Sequence, residues 1–156
     1  MTALVTRQAT VAGLVQGIGF RPYVARLAEQ EGLTGFVRND GGTVFLTVTG
    51  EEAAVCRFLH AVPLCPGAQV TRMDVQNVPL VSFDAFTITP SREGDGVLPW
   101  LSPDLGTCEQ CEAELLDPKN RRFRHPFISC VQCGPRYSIQ RALPYDRARI
   151  TMAEFP

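Results

Sequence analysis

Apolar and polar residues alternate along several short stretches of residues 1–90, and two other stretches repeat apolar residues every three or four positions. Alternation is typical of half-buried strands, and the longer spacing is typical of helices packed on one side. The pattern predicts, in order, a strand at 10–15, a helix at 22–31, a hairpin within 34–48, a helix at 51–60 and strands at 69–78 and 83–88. This order predicts an α+β fold with the split βαβ arrangement of ferredoxin-like folds.

A glycine-containing loop, Gly17-Ile18-Gly19, joins the first predicted strand to the first predicted helix. Backbone N–H groups of such a loop, together with the positive end of a helix dipole, favour an anion. The two glycines permit the required backbone conformations, Pro22 suits a first helical turn, and Arg21 adds a guanidinium fork. The stretch predicts a phosphate site, with a turn that binds nothing as the alternative. It matches neither a Walker loop nor a dinucleotide fingerprint.

The predicted hairpin turns at Asp40-Gly41, one of the strongest hairpin signals. Asn39 ends the first strand of this hairpin. Considered alone, Asn39 is best explained as a residue that initiates the turn.

Together the two stretches resemble the signatures of the acylphosphatase family, standing here as Gly13 to Arg21 and Gly35 to Gly42. The resemblance covers residues 1–90 and independently implies the ferredoxin-like fold. It implies that Arg21 and Asn39 are catalytic, with Arg21 on the phosphate and Asn39 orienting the attacking water. It also implies a phosphate-binding set: Gln16, Gly17, Ile18, Gly19, Phe20 and Arg21.

The chain has 156 residues, a formal net charge of −1 and an ordinary globular composition, which suits one domain and a smaller appendage. Near-neutral charge argues against a general nucleic-acid binder. Neither a signal peptide nor a membrane-spanning segment is predicted, so the expected location is the cytoplasm. There, the six cysteines indicate metal ligands or free thiols rather than disulfides.

Two Cys-x-x-Cys pairs, Cys108/Cys111 and Cys130/Cys133, are separated by eighteen residues. This spacing is typical of zinc ribbons, in which four thiolates surround a structural Zn²⁺ and leave no open position for catalysis. Gly134 supplies a permissive residue after the second pair. An iron–sulfur cluster remains an alternative, whereas two redox pairs or disulfides are weaker explanations.

The segment between the two pairs mixes arginines with Phe123 and Phe127. Basic residues interleaved with aromatic ones could contact nucleic acid. We favour a solvated loop whose two phenylalanines pack a small metal-centred core, and we do not expect His125 to be a ligand because four cysteines suffice.

The cysteine region carries a second resemblance, to the N-terminal part of HypF-type carbamoyltransferases, which mature nickel–iron hydrogenases. Three stretches support it: 121–127, 134–139 and Leu-Pro-Tyr-Asp-Arg at 143–147. That family continues into a second four-cysteine finger and further domains that convert carbamoyl phosphate toward the cyanide ligands of the hydrogenase metal centre. Since this chain ends at Pro156, we expect an excised or truncated piece that stops before the second finger.

The expected organisation is an acylphosphatase-like domain at 1–90, a linker at 91–104 rich in glycine and proline, and a zinc-finger region at 105–156. The two resemblances imply hydrolysis of an acyl phosphate, carbamoyl phosphate, as the first step of carbamoyl transfer. They imply the remaining domains of a full-length protein and a HypE-type acceptor as partners. The rivals are a non-catalytic phosphate-binding and docking module, and a nucleic-acid-binding ribbon whose binding would weaken steeply with salt.

Overall fold

The computed structural model describes residues 3–92, 105–130, 132–143 and 145–154. The strands among them are β1 Leu4–Leu14, β2 Thr34–Asp40, β3 Thr43–Glu51, β4 Gln69–Val78 and β5 Phe86–Ile88. The α-helices are α1 Phe20–Gln30, α2 Glu52–Ala61 and α3 Glu109–Leu116.

The five strands form one sheet in the order β4-β1-β3-β2-β5. The pairs β1–β3, β1–β4 and β2–β3 are antiparallel, and β5 lies parallel to β2. The two strands β1 and β3, each followed by a helix, lie side by side at the centre, which is the split βαβ arrangement. The ferredoxin-like α+β fold predicted from the hydrophobic pattern is confirmed.

Helices α1 and α2 cover one face of this sheet and bury its apolar side chains. Phe20 of α1 and Phe58 of α2 are the largest fully buried side chains. They pack into one cluster with the inward residues of the strands, which are Ala9, Val11, Val37, Val44, Leu46 and Val48. Removal of this apolar surface from water is the main driving force that holds the helices on the sheet.

Residues 79–85 connect β4 to β5 across the opposite face, where they contact β1, β2 and β3. The Val81 N–H donates to Thr6 Oγ1 over 3.0 Å, and Thr49 Oγ1 donates to the Val81 carbonyl over 2.8 Å. Thr6 is therefore buried although it is polar and lies on the face away from the helices. The first half of β1 was missed because polar Arg7 stands in phase with the inward residues Ala9 and Val11, where it pairs with Glu52 over 3.5 Å. Phe83 packs on Phe36 with ring centroids 6.0 Å apart, so β5 begins only at Phe86.

Helix α1 begins at Phe20, two residues before the predicted start. Gly19 is the N-cap in the left-handed conformation, with φ 74°, and its carbonyl accepts the Tyr23 N–H over 3.1 Å. A residue without a Cβ adopts this conformation without strain, so the helix starts directly after the glycine. Pro22 lies in the first turn, where its missing N–H costs no intrahelical bond.

The region after residue 104 has a second, much smaller core. Cys111, Ile128 and Cys133 are buried there, and partly buried Cys108, Leu115 and Cys130 pack around them. The linker predicted at 91–104 lies outside the described residues except for Ser91 and Arg92, and it stays a prediction. Among the helices of residues 3–92, 105–130, 132–143 and 145–154, none combines the length and apolar character needed to cross a membrane.

Replacement of Gly35 by alanine should destabilise the fold far more than the same change at Gly32. Both glycines have positive φ, 140° and 65°, but a Cβ on Gly35 would lie 2.0 Å from the Thr47 carbonyl oxygen, whereas a Cβ on Gly32 meets nothing within 4 Å. We expect Gly32→Ala to lower the free energy of unfolding by about 1 kcal/mol. Gly35→Ala should lower it by about 3 kcal/mol or more, because backbone strain and overpacking add.

Urea unfolding followed by circular dichroism measures both changes. Equal losses in the two variants would show that the close approach of β2 to β3 at Gly35 does not constrain the sheet.

Candidate functional site

The loop between β1 and α1 has the backbone shape of an anion cradle. Gly17 and Gly19 both lie in the left-handed region, with φ 72° and 74°. Among the described residues, no backbone carbonyl accepts a hydrogen bond from the amides of Gly17, Ile18 or Gly19. Successive amides left without a carbonyl partner at a helix N-terminus are suited to bind an anion.

The buried side chain of Gln16 fixes this loop in place. Its Nε2 donates to the carbonyl of Gly41 over 2.9 Å and to that of Thr43 over 3.1 Å, which ties the loop to the β2–β3 turn. Its Oε1 accepts the backbone N–H of Tyr145 over 3.2 Å. Because the side-chain amide is engaged at both ends, any contact of Gln16 with an anion must come from its backbone.

Arg21 lies in the first turn of α1 and is held by two side chains. Its Nη2 donates to Asp146 Oδ1 over 2.8 Å, and its Nη1 donates to Ser91 Oγ over 3.3 Å. The Ser91 hydroxyl in turn donates to Asp146 Oδ2, so the three side chains form a closed triangle. The guanidinium is therefore fixed beside the loop while retaining further N–H donors.

Asn39 lies on the helix-covered face of β2 and is only 1% exposed. Its Oδ1 is buried and has no hydrogen-bond partner among the described residues. A buried polar atom without a partner carries a desolvation cost, and such atoms are usually satisfied by water or ligand. The position is therefore suited to hold a water molecule.

The segment after β5 contacts both the Arg21 side chain and the backbone of Asn39. The Arg92 N–H donates to the Asn39 carbonyl over 2.9 Å, and Ser91, its neighbour in sequence, contacts Arg21. The Gly41 N–H donates to the Arg92 carbonyl over 3.0 Å, which joins the same segment to the turn held by Gln16. The predicted phosphate-binding loop, the Arg21 side chain and the backbone of Asn39 thus belong to one hydrogen-bond network.

The cysteine region packs directly against the loop. A Cβ placed on Gly17 would lie 2.9 Å from Pro135 Cδ and 3.0 Å from Tyr145 Cδ1. A Cβ placed on Gly134 would lie 3.2 Å from Ile18 Cγ2. Gly17 therefore serves a second purpose, which is to leave room for the segment that follows the second cysteine pair.

The four predicted cysteine ligands come together in one cluster. The Sγ atoms of Cys108, Cys111, Cys130 and Cys133 all lie within 4.8 Å of one another. Three of the separations are 3.6 Å, 3.8 Å and 3.8 Å, for 108–130, 130–133 and 111–133. A tetrahedral metal ion with sulfur ligands at about 2.3 Å places its sulfurs about 3.8 Å apart. The donor set and its size fit a closed metal site.

The surroundings of this cluster shift the pKa values of two of its thiols in opposite directions. Burial alone would raise the pKa of Cys133, but hydrogen bonds with the backbone at Cys130 and Cys108 and with neighbouring thiols lower it to about 6. Burial raises the pKa of Cys111, and its thiol neighbours add to that increase. Arg136 is buried and donates to Cys133 Sγ over 3.1 Å, so it can offset negative charge on the sulfurs.

Three residues of the site carried too weak a signal to be selected from the sequence. Ser91 falls in the stretch predicted as a linker, and Tyr145 and Asp146 fall after the cysteine cluster. Only the Leu-Pro-Tyr-Asp-Arg stretch marked the last two, as part of a family resemblance without an assigned role. Their contacts span 55 to 129 positions in sequence, which no local pattern reveals.

Comparison with known proteins matches two families in succession. Residues 7–88 match the acylphosphatase family, and residues 107–140 match the HypF finger. The chain is 46% identical over 147 residues to the carbamoyltransferase HypF of Synechocystis sp., which covers 93% of this chain and 19% of that protein. It is 41% identical over 80 residues to the acylphosphatase of Thermotoga maritima, which covers 50% of this chain and 89% of that protein.

A crystal structure of full-length HypF in the phosphate- and nucleotide-bound form superimposes over 100% of this chain with a TM-score of 0.85 and 39% identity. The chain corresponds to 21% of that structure, and it spans about a fifth of the HypF relatives that it matches. The chain therefore belongs to the acylphosphatase family, and it joins an acylphosphatase domain to a HypF finger in an arrangement that matches the HypF carbamoyltransferases along both parts.

Proposed function

We propose that this protein hydrolyses an acyl phosphate, and that its substrate is carbamoyl phosphate. The observation that carries the proposal is the shared network of a loop with unpaired amides, Arg21 and the buried Asn39. Membership of the acylphosphatase family supports the reaction class. Similarity to proteins named carbamoyltransferase supports the carbamoyl group.

The phosphate group would bind first, in the amide cradle formed by residues 16–20. Arg21 would contact the phosphoryl oxygens with the N–H donors that Ser91 and Asp146 leave unused. These donors are fixed before substrate arrives, so they stabilise the charge of the transition state without reorganising.

A water held by Asn39 would then attack phosphorus. The water donates one hydrogen bond to Asn39 Oδ1, which leaves an oxygen lone pair for the bond to phosphorus, while the bond from phosphorus to the acyl oxygen breaks. Carbamate leaves as an anion whose charge is delocalised over two oxygens, and inorganic phosphate is the other product. An asparagine amide is a poor base, so the proton of the water passes to an oxygen of the phosphate itself.

We infer that the metal in the cysteine cluster is Zn²⁺, bound by Cys108, Cys111, Cys130 and Cys133. Four thiolates in a closed tetrahedron are the usual ligands of structural zinc. When bound, the ion would hold the finger together, and no step of the hydrolysis passes through it.

In the wider reaction, we propose that carbamate production is the first step of carbamoyl transfer in the synthesis of hydrogenase cyanide ligands. The remaining domains of a HypF-type protein and a HypE-type acceptor would complete the transfer. The expected setting is the cytoplasm, and six free cysteines, four of them in one metal-binding cluster, suit a reducing compartment. A docking module that binds phosphate without turnover is the second candidate, favoured by the packing of the finger on the loop.

Replacement of Arg21 or Asn39 by alanine should abolish most of the hydrolysis, but in different ways. Arg21→Ala should lower kcat by about a thousandfold and raise KM, because it removes charge from both substrate binding and the transition state. Asn39→Ala should lower kcat about a hundredfold with little change in phosphate affinity, because it removes only the water contact. Release of phosphate from carbamoyl phosphate and from an aromatic acyl phosphate measures both effects.

Two matched controls separate these effects from general damage. Arg26→Ala removes an exposed arginine from the same helix, and Asn77→Ala removes an exposed asparagine from β4. Both should retain full turnover. A zinc-loaded, folded wild type that binds phosphate without turnover would instead favour the docking module.

Loss of one cluster cysteine should remove the metal and weaken the finger. We expect one zinc per chain in the wild type and much less in Cys130→Ser, measured by elemental analysis, because three thiolates bind zinc more weakly than four. Chelation should likewise lower the midpoint of thermal unfolding of the finger, whose apolar core is small.

Cys56→Ser changes an exposed thiol outside the cluster and should keep full zinc content. The visible absorption of an iron–sulfur cluster in the purified protein would contradict the zinc assignment.

A further inference from the structure

We propose that Asp146 is a positioning residue of the phosphate site: its carboxylate, supplied by the segment after the cysteine cluster, holds the Arg21 guanidinium in the orientation that meets phosphoryl oxygens. This inference rests on the proposed function, since it takes Arg21 as the phosphate ligand. It adds that the site is incomplete without the segment that follows the second cysteine pair of the finger.

The contacts of Asp146 place its carboxylate on the flank of the guanidinium. Oδ1 accepts from Arg21 Nη2 over 2.8 Å, and Oδ2 accepts from the Ser91 hydroxyl. A guanidinium has five N–H donors, of which Asp146 and Ser91 take two. The remaining donors stay available for an anion, so the ion pair orients Arg21 without exhausting it.

Asp146 does not itself occupy the anion cradle. A carboxylate in place of phosphate would accept hydrogen bonds from the loop amides. Among the described residues, none of the amides of Gly17, Ile18 and Gly19 donates to Asp146, whose side-chain contacts are with Arg21 and Ser91. The geometry therefore favours a residue that aligns Arg21 over one that competes with phosphate.

The backbone around Asp146 is fixed on both sides, as positioning requires. The preceding Tyr145 N–H donates to Gln16 Oε1, which ties it to the phosphate loop. The Asp146 carbonyl accepts the Arg149 N–H over 2.8 Å, and the Thr151 N–H donates to the Ile139 carbonyl over 2.8 Å. A carboxylate on such a fixed segment restricts the long Arg21 side chain before substrate binds, which lowers the entropic cost of binding.

The test is a titration of the zinc-loaded chain with inorganic phosphate, followed by the amide signals of Gly17 and Gly19, together with steady-state hydrolysis of an acyl phosphate. Asp146→Ala and the isosteric Asp146→Asn should each raise the Kd for phosphate and the KM about tenfold, with a smaller change in kcat. Asp146→Glu, which keeps the charge, should recover part of the affinity. In an Arg21→Ala background, Asp146→Ala should have no further effect on phosphate binding, because Asp146 acts through Arg21.

Glu114→Gln is the matched control. It breaks an ion pair within the finger, in which Glu114 and Arg122 lie 3.1 Å apart. The side chains of Glu114 and Asp146 are equally exposed, at 27%. Its phosphate affinity should equal that of the wild type. Zinc content and thermal unfolding confirm that each variant is folded.

Unchanged or tighter phosphate binding in Asp146→Asn would overturn the inference, and normal turnover in that variant would leave the proposed hydrolysis intact. The inference would also be overturned if Asp146→Ala weakened phosphate binding as much in the Arg21→Ala background as in the wild type, because the effect would then not pass through Arg21. If the wild type binds phosphate without turnover and Asp146→Asn still weakens binding through Arg21, the inference stands and the hydrolysis fails. A wild type that binds no phosphate overturns both.

Discussion

The loop that we propose to bind phosphate depends on the buried side chain of Gln16. A loop whose amides are kept free for a ligand cannot stabilise itself through its own backbone hydrogen bonds, so its position must come from elsewhere. Gln16 supplies that position through hydrogen bonds to the carbonyls of Gly41 and Thr43 and from the N–H of Tyr145. One amide therefore joins the loop, the β2–β3 turn and the segment after the cysteine cluster. The location of Arg21 and the approach of the finger both follow from this junction.

The cysteine cluster influences the loop because very little chain separates them. Gly134 and Pro135 follow the last cysteine directly and pack on Ile18 and Gly17. The finger buries few apolar side chains, and small regions of this kind usually take their stability from a metal or disulfides. A metal bound at the thiols would therefore fix the surface that packs on this loop.

The hydrophobic pattern predicted the fold class and most elements, because the inward positions of the strands and helices are apolar and regularly spaced. It missed the start of β1, where polar Arg7 occupies an inward position of the strand and pairs with Glu52. The four-cysteine cluster was predicted from spacing alone, because the two cysteines of each Cys-x-x-Cys pair are only three positions apart in the sequence. The roles of Arg21 and Asn39 came from a family resemblance and stay predictions, although the structure joins them in one network. Residues that meet only through the tertiary fold left no pattern to detect.

The side chains that hold Arg21 illustrate this point, because they come from outside the family match that contains Arg21. Ser91 and Asp146 lie outside both the acylphosphatase match at 7–88 and the finger match at 107–140. An arginine at a helix N-terminus is repelled by the helix dipole, so its position there must be stabilised by a counter-charge or a bound anion. Here the counter-charge comes from Asp146, which follows the acylphosphatase match at 7–88 by more than fifty residues. A domain cut at residue 90 would therefore lose both side chains that hold Arg21.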